Sequence, residues 1–135
     1  MPGPREQHNP AVPLVSDQEL EQIMAGDARK LVEVAERLGK DFARNGLSTS
    51  QIRNVFGAVK RLQMKGQFDQ QAARELILLK PKLAYQAGRH GDTVKHLGQV
   101  LSKAIDRVES DPKRFENFAD FFEAILAYHK AYGGK

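Results

Sequence analysis

One pattern governs this sequence from Ser16 onward. A capping residue is followed by apolar residues three and four apart, then by a glycine, asparagine or proline. Period-two alternation is missing, so the chain has to bury helix stripes against one another. Ser16 with Glu19 forms a capping box, and Gly26 can close the short helix behind it. Asp27 caps a second helix whose stripe is Leu31, Val34, Ala35, Leu38 and Phe42, stopped at Asn45-Gly46. Ser48 with Gln51 is a second capping box, opening a helix with Ile52, Val55, Phe56, Val59 and Leu62 on one face and Gly66 at its end.

Asp69 caps the next segment, which contains the run Leu76-Ile77-Leu78-Leu79. Proline disfavours a helical residue before it, so Lys80-Pro81 predicts either a kink or a break between two helices. Helix is expected again from Pro81 to about Gly88, with Gly88-Arg89-His90-Gly91 as a tight connector. Asp92 or Thr93 starts a helix with the stripe Val94, Leu97, Leu101, Ala104, Ile105 and Val108. Asp111-Pro112 is a cap with proline at the first helical position. Six of the ten aromatics lie between residues 115 and 132, which makes the last helix the expected core anchor. The expectation is an all-α, compact helical bundle of about five to six helices. It forms a single helical domain over residues 16–135, behind a flexible, Pro-rich N-terminal tail over residues 1–15.

The chain has no cysteine, which excludes a disulfide scaffold, a thiolate metal site and a cysteine nucleophile. His8, His90, His96 and His129 lack metal-ligand spacing, and no phosphate loop, dinucleotide fingerprint or nucleophile elbow occurs. Glu116, Asp120 and Glu123 are spaced as on a solvated helix face, without a nucleophile to serve. The chain is therefore expected to be no enzyme and to need no cofactor or metal. No apolar run approaches the roughly 18 residues of a membrane span, so the expected compartment is the cytoplasm.

Charge is segregated. The net +4 averages two regions of opposite sign. Residues 42–103 hold eleven bases and three acids, a net +8, while the remainder carries −4. Between Asp41 and Asp69 there is no acid. Arg53, Lys60, Arg61 and Lys65 are expected on the flank opposite the apolar stripe of their helix, with Gly57 among them to admit a close backbone approach. Such a flank suits a polyanion, whose phosphates it neutralises without reading sequence. Tyr85, between Lys82 and Arg89, reads as a half-buried packing residue, with base stacking as the alternative.

Three segments in this order resemble a known family: Leu47-Ser48-Thr49-Ser50-Gln51-Ile52-Arg53, then Leu79-Lys80-Pro81-Lys82-Leu83-Ala84-Tyr85-Gln86-Ala87-Gly88-Arg89, then Phe118 to Lys130 with Gly133-Gly134-Lys135 beyond it. Their order and spacing are similar to the small subunit of type III-A CRISPR effector complexes, the Csm complexes. The resemblance runs from about Leu47 to Lys135. It implies a cytoplasmic, all-helical, non-catalytic subunit that stacks in several copies and touches crRNA and target RNA by their backbones. It also implies contact with the large subunit and the backbone subunits, and self-association into a filament or dimer. Carried onto this chain, the RNA-binding candidates are Arg53, Lys60, Arg61, Lys65, Lys80, Lys82 and Arg89. Phe118, Phe121, Phe122 and Tyr128 are assigned to the core. A free-standing helical DNA-binding regulator and a structural helical adaptor remain the alternatives.

Overall fold

The computed structural model describes residues 14–135. Seven α-helices occur among the described residues: α1 (Asp17–Met24), α2 (Ala28–Arg44), α3 (Arg53–Met64), α4 (Gln70–Ile77), α5 (Leu79–His90), α6 (Asp92–Asp106) and α7 (Pro112–Ala131). A 3-10 turn, Thr49–Gln51, precedes α3. Among these residues there is no strand. No helix is long and apolar enough to cross a membrane.

The caps sit where the side chains predict them. Ser16 accepts from the Glu19 amide while Glu19 accepts from the Ser16 amide, closing the capping box of α1. Asp27, Asp69 and Asp111 cap α2, α4 and α7 more simply, each accepting from one first-turn amide, of Lys30, Ala72 and Lys113 respectively. The Ser48–Gln51 box also forms, but it closes the 3-10 turn, and the α-helix begins two residues later at Arg53. Leu14 and Val15, grouped with the tail in the sequence reading, pack instead: Val15 is buried, and the Leu14 carbonyl accepts from Arg37 at 2.7 Å. The rest of the expected tail lies outside the described residues.

The predicted interruption at Lys80-Pro81 occurs earlier. Helix α4 ends at Ile77, Leu78 alone separates the two helices, and Pro81 is the third residue of α5. Proline is tolerated there because amides of a first turn have no partner within the helix. Helix α5 then continues through Gly88 and Arg89, and the chain reverses on Gly91 alone, at φ +93°. The expected four-residue connector is thus a one-residue one. This correction places Arg89 on a helix, in register with Lys82 and Tyr85.

Helix α7 is the core element. Phe115, Phe118, Phe121, Phe122 and Ile125 are all essentially inaccessible to solvent. Phe68 stacks on Phe115 with centroids 4.4 Å apart, and Phe56 meets Phe122 edge-on at 5.1 Å. Its principal partner is α2, which it meets in backbone contact at Gly39. A Cβ on Gly39 would lie 2.6 Å from Tyr128 Cβ, 2.7 Å from the His129 amide nitrogen and 2.8 Å from the Ile125 carbonyl oxygen. Two of those three neighbours are main chain, so neither helix can yield locally. Helix α1 closes one end of this pair, where Asn117 donates to the Met24 carbonyl at 2.9 Å and Arg114 pairs with Glu21.

Two predictions follow from this packing. Gly39→Ala should lower stability by about 2 kcal/mol or more, because the added methyl has no space to occupy; a denaturant melt within 0.5 kcal/mol of the parent would contradict the tight crossing. Arg37 donates to both oxygens of Glu19 at 3.1 Å, and these bonds hold the Glu19 carboxyl down to about 2 against the opposing effect of burial. A depressed carboxylate contributes stability above its unfolded value near 4.5, lost as pH falls towards 2. Glu19→Gln should therefore melt below the parent at neutral pH, and the two melting temperatures should converge as the pH falls through that window.

Candidate nucleic-acid interface

Helix α3 buries Val55, Val59 and Leu62, while Ile52 anchors its start. Opposite them, Arg53, Gly57 and Arg61 follow one another at four-residue intervals and lie on one face. A Cβ on Gly57 would sit 3.5 Å from Arg61 Nη1, so the guanidinium lies beside the glycine. Arg53 and Arg61 are exposed and make no ion pair among the described residues.

The other two candidates of this segment are placed differently. Lys60 is half-buried at the α3–α7 contact, 5.8 Å from the Phe56 centroid and 3.3 Å from Glu123. Lys65 follows α3 and pairs with Glu75 at 3.4 Å. Gln71 and Lys65 both hydrogen-bond the Glu75 carboxylate and hold its pKa below the ordinary range. The expected flank of four bases is therefore a free pair, Arg53 and Arg61, and two cations engaged by acids.

An acidic stripe runs beside this pair. Glu116, Asp120 and Glu123 occupy one side of α7 facing α3, where Gln63 donates to Glu116 at 3.1 Å. Burial, with the neighbouring charges of Glu116 and Glu123, pushes the Asp120 carboxyl up, and Lys60 only partly offsets this. Lys60 thus serves the stripe's electrostatics and offers less to an outside anion.

Helix α5 carries the remaining candidates and no acid. Lys80 is bonded to Asp106 of α6. Lys82 is exposed and unpaired among the described residues. Arg89 is exposed, donates to the Tyr85 hydroxyl at 3.1 Å and lies 5.7 Å from the ring centroid. Tyr85 is 60% exposed, which overturns its reading as a packing residue. Helix α5 packs mainly against α6; a Cβ on Gly98 would stand 3.6 Å from the Leu83 carbonyl oxygen. Arg74, a base outside the candidates, is exposed in a shallow groove with Ile77 and Leu78. Spacing alone gave no signal for it, because the run from Leu76 to Leu79 reads as buried, whereas the break at Leu78 leaves Ile77 and Leu78 exposed.

His129 is a structural residue. It is fully buried, its Nε2 hydrogen-bonds the Leu47 carbonyl, and a Cβ on Gly134 would collide with its ring. Nε2 carries the proton that it donates to that carbonyl, and Nδ1 has no hydrogen-bond partner among the described residues. The bond joins the first and third motif segments. Both therefore owe part of their pattern to packing.

The exposed chemistry consists of guanidinium and ammonium groups with one phenol. It can neutralise phosphates and present an aromatic face.

A family model described as Csm2 Type III-A matches residues 25–135. The match takes in α2, which the motif resemblance left out. The chain is 30% identical over 127 residues to the "CRISPR system Cms protein Csm2" of Enterococcus italicus, covering 83% of this chain and 91% of that one. It is 35% identical over 115 residues to the protein of the same description from Streptococcus thermophilus, covering 77% and 92%. No solved structure matches.

Gly57 has helical backbone and an ordinary van der Waals distance to its one near neighbour, so the fold does not require glycine there. Gly57→Ala should stabilise the protein by up to about 1 kcal/mol, read as a raised thermal midpoint. A lowered midpoint would show that packing demands the glycine.

Proposed function

Because the chain belongs to the Csm2 type III-A family, the small subunits of Csm complexes, we propose that it holds crRNA and target RNA by their backbones without catalysing a reaction. The observation that carries this reading is the Arg53–Gly57–Arg61 face of α3, where two guanidinium groups flank a glycine and lack ion-pair partners among the described residues. Lys82 and Arg89 on α5 extend the cationic surface, while Lys60, Lys65 and Lys80 are held by Glu123, Glu75 and Asp106 and contribute less. A guide–target duplex is read by base pairing, so its protein support needs shape and charge alone. No base-reading arrangement is required.

The partners on this reading are crRNA, target RNA and the other Csm subunits, and the compartment is the cytoplasm. Copies of the chain stack beside one another, leaving the Arg53–Arg61 face of α3 to the RNA.

Binding of the full chain to RNA of arbitrary sequence, followed by fluorescence anisotropy, tests the reading. Affinity should fall steeply with salt. Arg53→Glu with Arg61→Glu should remove at least about tenfold of it, and Lys60→Ala less than about twofold, since that charge is already engaged. Equal losses for the two variants would move the interface elsewhere. A sharp consensus in a selection on random DNA duplexes would favour a sequence-reading regulator instead.

A further inference from the structure

We propose that Tyr85, with Lys82 and Arg89, forms a stacking platform for an unpaired RNA base, separate from the duplex-supporting face of α3. The inference rests on the RNA-binding reading above and adds the class of nucleotide that this second surface takes.

Three observations carry it. Tyr85 exposes 60% of its surface although it lies in the middle of α5, so the bundle does not use its ring as core. Its hydroxyl accepts from Arg89, which holds the guanidinium 5.7 Å from the ring centroid. Lys82, Tyr85 and Arg89 fall at i, i+3 and i+7, on one side of the helix, with the two cations separated by about 10 Å along its axis. An aromatic face bracketed by two cations matches a nucleobase with phosphates on either side. No carboxylate lies on α5, and Asp106, which approaches it from α6, is engaged by Lys80. A paired base inside an A-form duplex cannot reach such a ring, so the ligand is a nucleotide that is single-stranded or displaced from the stack.

The chain contains no tryptophan, so Tyr85→Trp places a lone indole reporter on the platform of the full-length protein. The probes are a short oligouridylate and the same strand annealed to oligoadenylate. Indole fluorescence should be quenched by the single strand and little changed by the duplex. Tyr85→Ala should weaken oligouridylate binding by about tenfold and duplex binding by less than about twofold, with an unchanged circular dichroism spectrum.

Arg53→Glu with Arg61→Glu is the control for the parent reading. If it abolishes duplex binding while Tyr85→Trp shows no quenching and Tyr85→Ala loses nothing, the platform is wrong and the α3 face stands. Equal losses on both probes for Tyr85→Ala would also overturn the platform. So would intact RNA binding combined with loss of a co-purifying protein, which would make this surface a protein contact. If the unaltered protein binds neither probe, both readings fall.

Discussion

The contact on which the rest of the molecule depends is the crossing of α2 and α7 at Gly39. There the two main chains meet with no room for a methyl group. That closeness lets Phe42 and Leu38 reach the aromatic face of α7, and it fixes the height of His129. His129 then hydrogen-bonds the Leu47 carbonyl, immediately before the turn that launches α3. The turn that leads into Arg53 is therefore tied to the α2–α7 crossing through one buried imidazole. An apolar side chain at position 129 would leave the Leu47 carbonyl without its donor.

Local rules made much of the fold legible. Caps at Ser16, Asp27, Asp69 and Asp111 depend on side chains within three residues of the amides they satisfy, and all four appear in the structure. The apolar stripes of α2, α6 and α7 were equally readable, because burial follows helical period. The break near Pro81 was foreseen but displaced: proline forbids certain neighbours without deciding which permitted residue ends the helix.

The interface was legible to a different extent. Composition located an unopposed basic segment between Asp41 and Asp69. It could not show that Lys60 faces Glu123, a residue distant in sequence and brought near only by the docking of α3 on α7. Lys65 and Lys80 were lost to pairing for the same reason. Tyr85 was misread in the opposite direction. An aromatic in a helix usually packs, and only the placement of α5 against α6 shows that this ring faces outward. Net charge per segment is thus a poor guide to which cations stay clear of internal acids.

The Gly39 crossing also bears on how the molecule is made. Helix α2 leaves the ribosome well before its partner α7, with four helices between them. Until α7 emerges, the apolar side of α2 has little beyond α1 to cover it, and the helices between them lack their central support. Closing so long a loop carries an entropic cost that only the finished pair repays. The aromatic helix is thus the element that completes the core.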